Sequence, residues 1–128
     1  MKKIVWLICT FIGILFARGE LIQIMQDMEY AINLMQKGFL YDKKTWVDEG
    51  IKEFKALSRQ LQHIDPRVYL EGPQRRDANV VSGIAMRNRE NIEVLERFLN
   101  QDQKVKSIDA FGQILTGCMS CHLLSRGW

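Results

Sequence analysis

The chain has 128 residues, enough for one domain and too few for a multidomain enzyme. Its 47% hydrophobic and 26% charged residues are ordinary for a folded globular protein, and 9 glycines with 2 prolines exclude a collagen-like or linker-rich chain. The formal charge of +3 comes from 18 basic and 15 acidic residues spread along the chain, which leaves no nucleic-acid footprint.

Met1-Lys2-Lys3 is followed by an apolar run from Ile4 to Phe16 and then by Ala17-Arg18-Gly19-Glu20. A short basic region, a brief apolar core and a small residue at its end describe a secretory signal peptide over residues 1–17, cleaved after Ala17. The rival is an uncleaved anchor, but the 14 residues Ile4 to Ala17 make only about 21 Å of helix against roughly 30 Å of hydrocarbon. The expected mature domain is therefore 18–128, exported to the periplasm. Losing Lys2 and Lys3 lowers its side-chain charge from +3 to +1. Cys9 also leaves, so the mature chain keeps only Cys118 and Cys121.

Four helices are predicted from the spacing of apolar residues. The first runs from about Glu20 to Lys37, with Leu21, Met25, Met28, Ile32 and Met35 stepping by 4, 3, 4 and 3, and Gly38 is its stop signal. The second begins near Asp42 as a capping residue and carries Val47, Ile51, Phe54, Ser58 and Leu61 inward. It ends before Asp65-Pro66, because proline disfavours helix at the residue before it. Residues 65–76 form the one long connection and hold both prolines. The third helix starts near Asp77 and offers Val81, Ile84, Leu95 and Phe98 to the core. Asn88 and Asn91 interrupt that stripe, so this face is expected to meet water or a ligand. The fourth spans about Ser107 to Leu124, with Ile108, Phe111, Leu115, Cys118 and His122 on one face. Such a series describes an all-α, antiparallel four-helix bundle.

Cys118-Met119-Ser120-Cys121-His122 reads as a c-type haem attachment site. Two thiols add to the two vinyl groups of haem, and a histidine directly after the second presents an imidazole nitrogen to the iron. An oxidising, exported compartment is where such attachment is expected. A zinc site needs about four ligands, and the mature chain offers only one other histidine, His63. A thioredoxin-like motif wants a strand before it, whereas this one lies in helical sequence near the end of the chain. One covalent haem c in the bundle, held near the C-terminus, is the predicted cofactor.

The terminal placement of Cys118-Met119-Ser120-Cys121-His122, Arg126 four residues later, Phe111-Gly112 before it, Lys37-Gly38 closing the first helix and four helices overall resemble the class II c-type cytochromes. This is the family of cytochrome c prime and its low-spin, methionine-ligated relatives. The resemblance covers about residues 20–128. It implies haem joined to Cys118 and Cys121, His122 as proximal iron ligand, and Arg126 beside the haem; Arg126 also suits the negative end of the last helix. It further implies redox partner proteins and a homodimer built through the first two helices.

In that family the first helix decides what faces the iron opposite the histidine. Low-spin members place methionine there and transfer electrons, whereas cytochrome c prime has a non-coordinating apolar residue and binds nitric oxide or carbon monoxide. Counting back from Lys37-Gly38 puts Ile22 at that position, and a shift of one turn puts Met25 there, with Met28 a further alternative. Methionine at core spacing is also a packing residue. The reading adopted is electron transfer with Met25 as distal ligand, and gas binding beside a non-coordinating Ile22 is its alternative.

No enzyme signature stands beside the motif: there is no Ser-His-Asp set, no spaced carboxylate pair and no phosphate-binding glycine loop. His63 reads as a solvated or capping residue, and Trp46 and Trp128 as packing groups, with Trp128 near enough in sequence to cover a haem edge. Arg67, Arg75 and Arg76 lie in the connection, either as solvated loop residues or as a docking patch for an acidic redox partner.

Overall fold

Helical periodicity governs the whole molecule: in the computed structural model, which describes residues 2–126 and side chains from residue 19 onward, four α-helices and no strands occur among the described residues. They are α1 (Lys2–Leu40), α2 (Lys44–Gln62), α3 (Ala78–Asn100) and α4 (Lys104–Arg126). The connection between α2 and α3 carries two short 3-10 helices, Pro66–Val68 and Gly72–Asp77. Among the described residues no helix is long and apolar enough to cross a membrane. The signal peptide expected over residues 1–17 and the packing role of Trp128 concern side chains outside the described residues.

Residue pairs give the direction of each helix. Gly38 of α1 approaches Val47 of α2, and Met35 approaches Gly50. Between α2 and α3, Lys55 pairs with Glu96 at 2.7 Å, and Arg89 donates to Gln62 at 2.8 Å. On α3 and α4, Lys106 lies over the Phe98 ring, while Asn88 reaches Ile114. In every case the residue numbers rise along one helix as they fall along the next, so successive helices run antiparallel. Tight packing joins α1 to α2 and α3 to α4. The arrangement is compatible with a four-helix bundle.

The core is one continuous cluster containing Ile24, Met28, Ala31, Met35, Val47, Ile51, Phe54, Leu57, Ile92, Leu95, Leu99, Ala110, Phe111 and Ile114. On α1 the buried stripe is Ile24, Met28, Ala31 and Met35, while Met25 and Ile32 stand half-buried at its edge. A smaller cluster of Leu70, Ala78 and Val81, with Tyr69, Cys121 and Leu124 against it, pins the connection to the end of α4.

Four details differ from the sequence expectations. The first helix shows no break near Glu20; its backbone is continuous through Lys2–Leu40. It also runs past Gly38, because that glycine serves a close approach: a Cβ there would lie 2.5 Å from Val47 Cγ2 and 3.0 Å from the Lys43 carbonyl. The chain turns at Asp42 instead, which takes the left-handed conformation (φ 51°), one that aspartate tolerates better than most residues. Asp42 consequently does not cap α2. Lys43 occupies the N-cap position without a side-chain cap, and Asp42 pairs across the end of the bundle with Lys104 at 3.1 Å. Finally, Ile108 is 51% exposed; Ser107, Ala110, Phe111 and Ile114 form the buried face of α4, rotated slightly from the expected stripe.

Candidate functional site

Positions 118, 121 and 122 of α4 are separated by three and four residues, so a helix stacks their side chains on one face. That face fronts a cavity of 480 Å³, within the range of roughly 300–1,000 Å³ that suits small-molecule and cofactor sites. Cys118, Cys121, His122 and Arg126 form its α4 wall. From α1 come Ile22, Met25, Met28 and Ile32, with the exposed Gln26 and Glu29. Phe54 and Leu61 of α2 and Ile84, Ala85 and Asn88 of α3 complete it.

α1 and α4 touch at Phe39 and Phe111 and both line the cavity. The two rings meet tilted by 49°, with centres 5.6 Å apart. Met25 of α1 and His122 of α4 both line the cavity. A second space of 140 Å³ continues along His122, between Leu21 and Met25 on one side and Tyr69, Ser125 and Arg126 on the other.

Burial sets the protonation of the site. It pushes the Cys118 thiol up to about 11, helped by the neighbouring Cys121, while a hydrogen bond from Asn88 pulls the other way. Burial also raises the Cys121 thiol. The same desolvation, with the Arg126 charge second, lowers the His122 pKa below its ordinary value and favours the neutral imidazole. At neutral pH the wall therefore presents two S–H groups and a ring nitrogen with a free lone pair. Both cysteines are free thiols.

This donor set fits covalent haem. Two neutral thiols and an imidazole line one wall of a mostly apolar cavity, which is what a flat, largely hydrophobic macrocycle with a metal centre requires. Among the described residues, no three His, Cys, Asp or Glu groups converge as the ligands of an ion would.

Each expected distal residue reaches the cavity, in a different way. Met28 is 7% exposed and belongs to the core, so packing already occupies it. Ile22 is 59% exposed and sits at the mouth. Met25 is half-buried and borders both spaces that touch His122. Asn88 is buried on the cavity wall, as the interruption of the α3 stripe suggested, whereas Asn91 lies in a separate shallow groove with Phe98.

Sequence reading missed the part played by α2 and by the connection. Phe54 and Leu61 carry the expected core spacing, but nothing in that spacing marks them as cavity lining. Tyr69 packs against the cluster that includes Cys121, and burial together with the charges of Cys121 and Asp65 pushes its hydroxyl up to about 12. His63 is an exposed C-cap residue of α2, away from the cavity. Trp46 meets Tyr41 edge-on at 6.1 Å on the outer surface of the molecule. The three arginines of the connection are exposed, yet two brace it: Arg75 donates to the Leu70 carbonyl at 3.0 Å and Arg76 to that of Pro73 at 3.3 Å. Arg67 pairs with Asp65 at 3.5 Å.

Comparison of the chain with protein-family models, with curated proteins and with solved structures found no match.

Proposed function

We propose that this chain is an exported, periplasmic mono-haem c-type cytochrome that transfers electrons, built as a four-helix bundle of the class II type. The single observation that carries the reading is that Cys118, Cys121 and His122, consecutive members of an attachment motif, all face the same 480 Å³ cavity. Haem, when bound, supplies an iron that stores and releases one electron.

The chain's own residues would do the rest. Cys118 and Cys121 would tether the macrocycle, which would prevent its loss outside the cytoplasm. His122, kept neutral by burial and by Arg126, offers its lone pair to the iron. Met25, on the α1 lining of the same cavity, would supply a thioether sulfur to the iron, which would raise the reduction potential. The apolar walls from α1, α2 and α3 keep water from the centre and limit reorganisation on electron transfer. Redox partners would approach at the cavity mouth, near Ile22.

A second reading has its own observation: Ile22 lies one turn before Met25 on the same wall. With Ile22 rather than Met25 at that place, the chain would offer the iron no second ligand, and the protein would bind nitric oxide or carbon monoxide.

Optical spectra of the purified protein, oxidised, reduced and reduced under carbon monoxide, separate the two. Electron transfer with Met25 expects a low-spin reduced spectrum that carbon monoxide leaves unchanged, and a Met25→Leu variant that becomes high-spin and binds the gas. A high-spin wild type that binds carbon monoxide overturns the Met25 assignment in favour of Ile22. A colourless protein overturns both.

A further inference from the structure

Asn88 is the polar member of an otherwise apolar stripe on α3. It is 8% exposed, between Val81 and Ile92, which are both at 0%. A buried amide costs free energy unless its hydrogen bonds are made, so its partners identify its purpose. Its Nδ2 donates to the Ile114 carbonyl at 3.2 Å and to the Cys118 Sγ at 3.5 Å. Both acceptors belong to the same turn of α4, four residues apart.

The neighbouring residue makes room for this contact. A Cβ at position 117 would run into the Asn88 amide, so Gly117 is the residue that lets α3 and α4 approach closely enough for the amide to reach the sulfur. Cys121 is held differently: it packs against the apolar cluster of Leu70, Ala78 and Val81. The amide therefore acts on one thiol of the pair.

Building on the haem reading above, we infer that Asn88 is a positioning residue for haem attachment, holding the Cys118 sulfur toward the cavity so that this thiol, and not Cys121, depends on it. In the attachment step the Cys118 S–H adds across a vinyl double bond. A carbon–sulfur bond forms to the inner vinyl carbon, the S–H and π bonds break, and the hydrogen ends on the outer carbon. No oxidant or reductant is consumed. Reaction requires the sulfur to stay on the cavity side of α4, and the Nδ2–H bond restricts its rotation away from it.

The test expresses the full chain together with a bacterial haem-attachment apparatus and compares wild type with Asn88→Leu, which keeps the volume and removes the donor. Thiol alkylation followed by mass spectrometry of the peptide spanning 118–121 counts chains with each cysteine free. The absorbance of the reduced haem in pyridine reports any unreacted vinyl group independently. A net hydrogen bond of ordinary strength corresponds to a roughly two- to tenfold rise in free Cys118, with free Cys121 unchanged. If Asn88→Leu lacks wild-type helicity, Asn88→Ala combined with Gly117→Ala, which puts a methyl group into the vacated space, gives the same comparison and the same expected result. An equal rise at both cysteines, or no rise at either, overturns the role of Asn88. A wild-type chain that takes up no haem overturns the cytochrome reading and this role with it, and the wild-type sample distinguishes that failure from a failure of Asn88 alone.

Discussion

At the scale of single residues, the site is governed by desolvation. Cys118 is the clearest case, because burial drives its thiol from an ordinary 9.0 up to about 11. The fold favours the neutral thiol. Before haem is attached, this contributes stability that is complete below pH 9 and is lost as pH climbs toward about 11. Urea unfolding of the haem-free chain across that window is expected to show a decline that Cys118→Ser, which cannot ionise there, reduces. Equal pH profiles for the two chains would contradict the burial of this thiol. The clustering of Cys118, Cys121 and His122 on one cavity wall was legible from five adjacent residues because helical spacing is local. Asn88 was legible only as an interruption: a sequence shows that an amide breaks an apolar stripe, but its partner lies on another helix, 30 residues away.

Helices were legible where apolar spacing is regular, and their ends were less so. Gly38 carries a stop signal, yet α1 continues because tertiary packing against Val47 uses that glycine for contact. Asp42 and Asp102 take the left-handed corner positions that glycine would ordinarily fill (φ 51° and 56°), a choice that composition does not reveal. The connection between α2 and α3 read as a loop, but it folds into two 3-10 helices anchored by Leu70, which is 0% exposed. Truncating that anchor tests how firmly the connection supports α4. Leu70→Ala is expected to cost about 2–5 kcal/mol in urea unfolding, and to speed amide exchange at the Cys121 end of α4. A loss under about 1 kcal/mol would mean that the small cluster is dispensable.

For the molecule as a whole, the cavity is the organising fact. Tight packing joins α1 to α2 and α3 to α4, α1 and α4 touch at Phe39 and Phe111, and all four helices line a space of 480 Å³. A fold with that much space in its wall is stabilised by whatever fills it, so the haem-loaded protein is expected to melt well above the haem-free chain; equal melting temperatures would place the group outside the cavity. The bundle was foreseeable from four amphipathic segments, and the cavity was not, since its lining comes from helices distant in sequence. The central claim remains that Cys118 and Cys121 are joined to a macrocycle. The mass of the denatured mature protein tests it most directly: the expected value exceeds that of the polypeptide by one haem, and falls to the polypeptide mass when both cysteines are replaced by serine. A wild-type mass equal to the polypeptide alone would contradict it.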